Sequence, residues 1–301
     1  MFALTYAQYG DPSVLEVTNT PEPHAGPGQV RIAVRASGVN PVDWKIRAGH
    51  LQGVFDIPLP AIVGLEAAGV VDEVGEGVEG VSVGDEVFGL GSGTAAEFAV
   101  LNHFAPKPAA LNWEQAGGLP VAAETALRAL EIIKPSAGQT LLIDGAAGGV
   151  GSAAAQFARA AGVTVIGTAS ESNHEYLRSL GVVPTTYGPG LADRVAALTP
   201  NPVDVALDTA GKGSLRELVQ ITGSADNVVT IADYTAAEQG VRSTTESGAF
   251  HALPEAGSLV DEGKFIVRID SLFPLSDAAK AHARSETGHL SGKIVLTVPA
   301  A

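Results

Sequence analysis

The residues best suited to chemistry in this sequence form a glycine-rich turn, GAAGGVG, between an apolar run and an Ala-rich run. Ala146, Gly148 and Gly151 have the spacing of the dinucleotide-binding fingerprint, in which main-chain N–H groups at a helix start approach a pyrophosphate. We therefore expect this turn, with Gly149 and Val150, to bind a dinucleotide. A glycine-rich turn can also serve only to pack a helix onto a sheet, so the flanking sequence must decide.

The segments on both sides of the turn predict a strand, a helix and a second strand. Leu141 to Ile143 is a short apolar run typical of a buried parallel strand, and residues at helical spacing follow the turn. Gly162 ends that helix, and Val163 to Gly167 supplies a second β-type run about 20 residues after the first. A right-handed βαβ unit follows, which supports the dinucleotide interpretation.

The end of the second strand indicates which cofactor binds, because NAD sites place an acidic residue there to bind the adenosine ribose. This chain has Ala169 instead, and the hydroxyl and amide groups of Ser170, Ser172 and Asn173 suit a 2′-phosphate better. We predict that Ser170 and Asn173 bind NADPH in preference to NADH. Glu171 would repel the phosphate if it pointed inward, and the alternative is an ordinary polar loop.

Two further strands are expected at residues 203–207 and 227–231. Ligands of open α/β sheets bind at the carboxyl ends of the strands, so the residues after these strands should line the same cofactor crevice. Plain turns are the alternative for each segment alone. The expected cofactor-binding residues here are Thr209, Ala210, Gly211, Ile231 and Ala232.

The composition excludes several functions. The chain has 301 residues, 46% of them hydrophobic, which suits two packed domains or one large one. It has no cysteine, which excludes disulfides, thiolate zinc sites and cysteine nucleophiles. With a net charge of −15 and scattered basic residues, neither nucleic acid nor an anionic membrane is an expected partner. Lacking a signal peptide or a long apolar run, the protein is expected in the cytosol.

The chain divides into three parts by its local composition and hydrophobic pattern. Residues 1 to about 105 carry short β-type runs separated by Gly and Pro, including an acidic hairpin at 74–87, and predict a small irregular β domain. Helix formers begin at Asn112, so a domain boundary fits near residues 110–118. In the tail we predict a helix at 254–262, a strand at Lys264 to Ile269, a helix at 276–286 and a strand at 293–298.

Six stretches in this order carry a family resemblance. They are GVNPVDWKIRAG (38–49), PAIVGLEAAGVVDEVG (60–75), GDEVFG (84–89), ETALRAL (124–130), GAAGGVG (145–151) and GHLSGKIVL (288–296). The chain resembles the zinc-independent quinone oxidoreductase branch of the medium-chain dehydrogenase/reductase superfamily. The resemblance implies an α/β protein with a GroES-like catalytic domain (1–116), a Rossmann domain with a doubly wound parallel sheet (117–252) and a C-terminal segment rejoining the first domain (253–301). It also implies a homodimer.

The residues at the metal positions of this superfamily cannot hold zinc. Zinc-containing relatives have a cysteine where this chain has Asn40, a histidine where it has Leu65, and a four-cysteine lobe near Gly91. Because zinc needs thiolate or imidazole ligands, no metal is expected here. The seven histidines show no metal-ligand spacing either. Glu66 keeps its family position, which we interpret as structural or as a polar wall of the cleft.

The candidate catalytic residues lie in the segment after Gly38. Asn40 is the best amide donor to a carbonyl oxygen on which negative charge develops. Asp43 either fixes this loop or contacts the nicotinamide. Lys45 replaces the tyrosine of many relatives, as in enone and alkenal reductases, and either polarises an enone carbonyl or is a solvated lysine.

Three further cofactor contacts are implied by family position. Thr125 would contact the nicotinamide side, Tyr187 would flank the adenosine 2′-phosphate, and Lys293 would approach the pyrophosphate. Read from the residues alone, Lys293 supplies a cation to an acidic protein, whereas Thr125 and Tyr187 could equally be a helix hydroxyl and a partly buried ring. Asp208 is interpreted as fixing a strand end, not as a base.

The sequence therefore predicts an NADPH-dependent reductase of quinones or activated double bonds, with a small, apolar, conjugated substrate. In such an enzyme the cofactor carries the hydride step, and the protein supplies orientation and hydrogen bonding. One alternative is a reductase of simple ketones or aldehydes, which the missing zinc ligands disfavour. A second alternative is a weakly catalytic NADPH-binding protein with a structural or interaction role.

Overall fold

The computed structural model describes residues 1–54, 56–244 and 248–299. The chain forms two compact units. The first contains Met1–Val121, Leu253–Gly263 and the residues from Val267 onward, and the second contains Ala122–Ala252 with Lys264–Ile266. The first unit is therefore interrupted by the second, and its last segment returns after residue 252.

The first unit begins with strands and two short helices. They are β1 (Phe2–Tyr6), β2 (Glu16–Asn19), β3 (Val30–Val39), α1 (Pro41–Arg47), β4 (Ala61–Ile62), β5 (Glu66–Val74), β6 (Glu86–Gly91), β7 (Phe98–Pro106) and α2 (Trp113–Gly117). Pro41 starts α1 at a position where its missing N–H costs nothing. Asn112 caps α2 by accepting a hydrogen bond from the N–H of Gln115.

The second unit alternates helices with strands. They are α3 (Pro120–Ile133), β8 (Thr140–Asp144), α4 (Gly149–Ala160), β9 (Thr164–Thr168), α5 (His174–Ser179), β10 (Val183–Thr185), α6 (Leu191–Leu198), β11 (Val205–Asp208), α7 (Leu215–Thr222), β12 (Val228–Thr230) and β13 (Arg242–Ser243). The returning segment adds α8 (Ala252–Asp261), β14 (Ile269–Pro274), α9 (Ala278–Glu286) and β15 (Lys293–Thr297).

The main sheet of the first unit has the order β14-β15-β3-β5-β6-β7, and β3 also pairs with β7. Along β3, Val30, Ile32 and Val34 are buried and alternate with partly exposed residues, as expected of a strand with one face toward a core. The acidic segment expected to form a hairpin joins the antiparallel strands β5 and β6, which confirms that interpretation. A smaller sheet pairs β2, β1 and β4.

The sheet of the second unit is parallel, with the order β10-β9-β8-β11-β12-β13. Leu141, Leu142 and Ile143 are fully buried, so the apolar run is a central strand with both faces covered. The predicted strand, turn, helix and second strand are confirmed as β8, α4 and β9. A parallel sheet places its carboxyl strand ends along one edge, and this edge positions the candidate cofactor residues.

The strand predicted at Lys264 to Ile269 is wrong, because β14 begins only at Ile269. Phe265 and Val267 are buried around the exposed Ile266, and this alternation imitates a strand in the sequence. The backbone of Ile266 is instead bound by one side chain: its N–H donates to Oε1 of Gln156 at 2.6 Å, and its carbonyl accepts from Nε2 at 3.1 Å. Gln156 thus replaces a neighbouring strand.

Within the described ranges, no helix combines the length and the apolar character that crossing a membrane requires.

Candidate active site

The carboxyl edge of the parallel sheet brings together most of the expected cofactor residues. The glycine-rich turn follows β8, Ser170 and Asn173 follow β9, and Tyr187 follows β10. Thr209 to Gly211 follow β11, and Ile231 and Ala232 follow β12. These segments are far apart in sequence, yet the sheet places them side by side within the second unit.

The glycine-rich turn has the geometry of an anion-binding site. Gly148 lies just before α4 in an extended conformation, and its carbonyl accepts the first hydrogen bond of the helix, from Ser152 N–H. The N–H groups of the first residues of a helix have no partner within it, so those of Gly149, Val150 and Gly151 can bind a phosphate. A Cβ on Gly148 would meet only the carbonyl oxygen of Gly145, at 3.5 Å, so the space above the turn is open. These residues fit a dinucleotide pyrophosphate.

Two buried aspartates hold the strand ends around this turn. Asp144 accepts hydrogen bonds from the hydroxyls of Thr168 and of Ser214, the latter at 2.6 Å. Asp208 accepts from the N–H groups of Ala210 and Gly211, both at 2.9 Å. Asp208 is thus saturated by structural donors, as the sequence interpretation expected. Burial raises the pKa of Asp208, and the two backbone hydrogen bonds oppose that rise.

The sequence reasoning missed Asp144, Thr168 and Thr230 as supports of the turn. Thr168 donates to Asp144 and accepts from the N–H of Gly145 at 3.0 Å, while Thr230 donates to Asp208 at 2.7 Å. A usable signal was present, because each of these polar residues is the last residue of its strand and follows a run of apolar or small residues. Polar residues that end neighbouring strands lie in register, as Asp144 and Asp208 do.

The loop after β9 is polar and carries no buried carboxylate. The hydroxyl of Ser170 lies 3.0 Å from that of Ser172, and Nδ2 of Asn173 donates to Ser170 at 3.0 Å. Glu171 is exposed. Tyr187 is 56% exposed, so its ring is accessible to a ligand. The contacts of Ser170, Asn173 and Tyr187 with a 2′-phosphate stay predictions.

Thr125 lies in the second unit on α3, where its hydroxyl donates to Glu124 at 3.2 Å. The same carboxylate accepts from Arg128 at 2.8 Å and from the N–H of Ala249 at 3.1 Å. Glu124 therefore ties α3 to the segment that precedes α8. The contact of Thr125 with the nicotinamide stays a prediction.

A buried network in the first unit surrounds Asn40. Nδ2 of Asn40 donates to Oε1 of Glu66 at 2.7 Å, and the ammonium of Lys293 donates both to Oδ1 of Asn40 and to Oε1 of Glu66, the latter at 2.8 Å. The other oxygen of Glu66 accepts from the N–H of Val121 at 2.7 Å. Glu66 is fully buried, and Lys293 is 6% exposed. The pyrophosphate contact expected of Lys293 stays a prediction.

Asp43 closes the start of α1. Its carboxylate accepts from the N–H of Asn40 at 2.7 Å, and its own N–H donates to the carbonyl of Asn40 at 3.0 Å. Burial raises the pKa of Asp43 to about 7, the charge of Glu66 adds to the rise, and the Asn40 hydrogen bond and the charge of Lys293 oppose it. The geometry matches the loop-fixing interpretation, and contact with the nicotinamide stays a prediction.

Lys45 lies on α1 and is partly buried. Its ammonium lies 5.9 Å from the ring centroid of Trp44. The Trp44 ring in turn meets His50 edge-on, with 5.7 Å between centroids. Trp44 thus packs within its own segment, and Lys45 is held beside it. A role of Lys45 in polarising a substrate carbonyl stays a prediction.

The residues at the metal positions do not form a zinc site. Asn40 is already bound by an ammonium, and Leu65 has no ligand atom. Among the residues that the structure describes, no three His, Cys, Asp or Glu side chains are grouped so as to hold a metal ion.

Comparison with known proteins gives two family-model matches. Residues 26–109 match the alcohol dehydrogenase GroES-like domain, and residues 189–296 match the zinc-binding dehydrogenase domain. The second match covers β11, β12 and β13 of the parallel sheet and most of the returning segment, and it lies outside the metal positions discussed above.

Several relatives that match nearly the whole of this chain are named as reductases or oxidoreductases. A 2-methylene-furan-3-one reductase of Solanum lycopersicum is 32% identical over 98% of this chain and 79% of that protein. An NADPH-dependent alkenal/one oxidoreductase, chloroplastic, of Arabidopsis thaliana is 33% identical over the same shares. The solved structure of the quinone oxidoreductase from Coxiella burnetii covers 99% of both chains with a TM-score of 0.85 and 32% identity.

Proposed function

This chain belongs to the quinone oxidoreductases of the medium-chain dehydrogenase/reductase superfamily, and from this premise we propose that it reduces quinones or α,β-unsaturated carbonyl compounds with NADPH. The observation that carries the proposal is the amide of Asn40, buried and bound to Glu66 and Lys293 where zinc-containing relatives have a metal ligand. An amide donor in a dry site suits a substrate oxygen that gains negative charge.

When bound, NADPH would supply a hydride to an electron-poor carbon of the substrate, and a proton from solvent would neutralise the oxyanion that results. The residues of the second unit bind and orient the cofactor, through the N–H groups at the start of α4 and the polar loop after β9. In the first unit, the second N–H of Asn40 Nδ2 donates to the substrate carbonyl oxygen, and Asp43 holds the Asn40 backbone in place. Such a hydrogen bond is worth about 1 to 3 kcal/mol in a dry site.

We propose that the reaction proceeds without zinc. Three features support this: the absence of cysteine from the chain, the ammonium of Lys293 against Asn40, and Leu65 at the position of the histidine ligand. Lys45 places a positive charge on α1, the helix that follows Asn40. We propose that this ammonium polarises the carbonyl of an enone.

The proposal is tested by following the oxidation of NADPH and NADH with quinones, enones and alkenals, each in the presence of a metal chelator. The matched control for each enone is the corresponding saturated ketone. We expect turnover of the conjugated compounds with NADPH, none with the saturated ketones, and no loss with chelator. Turnover restricted to saturated ketones would contradict the proposed substrate class. Loss of activity with chelator would contradict the proposal that the reaction proceeds without zinc.

A homodimer and a cytosolic location remain proposals. Sedimentation of the purified protein and fractionation of the source cells would test them.

A further inference from the structure

The amide of Asn40 is held in one orientation by two partners of opposite charge. A lysine ammonium has only donors and a carboxylate only acceptors, so Lys293 must bind Oδ1 and Glu66 must bind Nδ2. Rotating the amide by half a turn would place an N–H against the ammonium and an oxygen against the carboxylate. Both contacts would be repulsive, so the amide presents its remaining N–H and not its oxygen.

Glu66 is the centre of this arrangement, because it binds three separate segments of the first unit. Its carboxylate accepts from Asn40 before α1, from Val121 at the start of α3 and from Lys293 at the start of β15. Gly38 makes room for the carboxylate, since a Cβ there would lie 2.0 Å from Oε1 of Glu66. Displacement of the Glu66 carboxylate would break its hydrogen bonds to all three segments.

The ammonium of Lys293 binds the side chains of Asn40 and Glu66. Its side chain is 7% exposed and that of Glu66 is fully buried, so the two charges neutralise each other away from water. An isolated buried carboxylate would be strongly unfavourable, and the ion pair with Lys293 offsets that cost. The ammonium is therefore bound within the first unit by two side chains of that unit.

We propose that Lys293 and Glu66 are positioning residues of the reduction, which fix the Asn40 amide as a donor, and that Lys293 acts in this way and not as a ligand of the cofactor pyrophosphate. The role of the two residues in reduction rests on the proposed function. The stabilising interaction between Lys293 and Glu66 does not, because it can be measured as a change in melting temperature of the protein without substrate or cofactor.

The test compares Lys293→Met, Glu66→Gln and the double variant. We expect Lys293→Met to lower the melting temperature strongly, because it leaves a buried charge unpaired, and the double variant to recover most of that loss. The dissociation constant of NADPH, measured by its fluorescence, should stay within about twofold of wild type in all three variants. The kcat for an enone should fall about tenfold in each of them, because the Asn40 amide loses its fixed orientation as a donor.

Lys280→Met is the matched control, because Lys280 pairs with Asp277 at 3.0 Å in the same unit and its side chain is 70% exposed. It should change neither stability nor kcat. If Lys293→Met does not fold, the double variant alone decides: unchanged NADPH affinity with reduced kcat supports the inference. A tenfold weaker NADPH affinity with an unchanged melting temperature would overturn it, and so would a double variant with wild-type kcat. An inactive wild-type protein would refute the proposed function, and an absence of coupling in melting temperature would refute this inference.

Discussion

The two candidate sites of this protein are built in opposite ways. The candidate cofactor residues of the second unit offer mostly backbone N–H groups and hydroxyls, each within a few residues of a strand end, and the carboxylates of Asp144 and Asp208 hold these strand ends in place. The network of the first unit joins the neutral amide of Asn40 to the charged side chains of Glu66 and Lys293, and these three positions are far apart in sequence. A site assembled from strand ends can be recognised in the sequence from a local motif. A site assembled from side chains far apart in sequence can be recognised only once the fold is known.

The most disruptive change to the buried network is Gly38→Ala. The new Cβ would lie 2.0 Å from Oε1 of Glu66 and 2.6 Å from its Cδ, so the carboxylate must move. We expect the free energy of unfolding to fall by about 3 kcal/mol, as for a broken buried ion pair, and kcat to fall with it. Urea denaturation measures the change. The control is Gly257→Ala in α8, where a Cβ would meet only Pro108 at 3.5 Å. It should be neutral or stabilising, and an equal loss in both variants would contradict the expectation.

The burial of Asp43 makes stability depend on pH. Because its pKa is about 7 in the folded protein and near 4 when unfolded, the folded state keeps the proton longer. The stabilisation is therefore fully present below about pH 4 and is lost as the pH rises to 7. Between pH 5 and 7 the wild-type free energy of unfolding should therefore fall by about 2 kcal/mol more than that of Asp43→Asn. Denaturation of both proteins at several pH values measures it, and identical pH profiles would exclude Asp43 as the source.

The cofactor edge is tested by a pair of glycine substitutions. In Gly151→Ala the Cβ would lie 2.4 Å from the carbonyl oxygen of Gly145, so the turn must shift and the melting temperature should fall. In Gly148→Ala the Cβ fits the free protein, so the melting temperature should stay unchanged. Both should weaken NADPH binding about tenfold, by distortion and by occupying the phosphate face respectively. Titration of NADPH fluorescence decides, and wild-type affinity of Gly148→Ala would place the phosphates elsewhere.

The smallest expected effect is that of Lys45→Met. If its ammonium polarises the carbonyl of an enone, kcat should fall about fivefold while NADPH affinity stays the same. A quinone, which is more electrophilic, should lose less. Steady-state kinetics with both substrates measures the difference, and equal turnover by the variant and the wild type would remove Lys45 from the reaction.

Much of the second unit could be predicted from the sequence because its signals are local. The run Leu141 to Ile143, the turn and the Ala-rich helix are neighbours in the chain, and their order specifies a βαβ unit. The strand predicted at residues 264–269 failed because alternating burial at Phe265 and Val267 does not reveal where the backbone hydrogen bonds go. A glutamine side chain, 110 residues away in sequence, supplies them.

The site around Asn40 was predicted only in part. Its sequence position and the missing zinc ligands identified Asn40 as a candidate donor, and the spacing of Asp43 fits the start of a helix. Nothing local indicated that Lys293 would pair with Glu66, since an ion pair between residues 227 positions apart depends on which strands become neighbours. The register of β15 and of β5 on the two sides of β3, with Ile294 opposite Val39 and Ala67 opposite Ser37, brings the two residues together.

The late position of β15 in the chain has a consequence for biogenesis. Glu66 is synthesised more than two hundred residues before Lys293, so during translation its carboxylate has no counter-ion and must remain hydrated. The intervening segment, residues 122–252, contains its own parallel sheet and can fold while the ribosome is still at work. The buried network around Asn40 is thus completed last, when β15 brings Lys293 to Asn40 and Glu66.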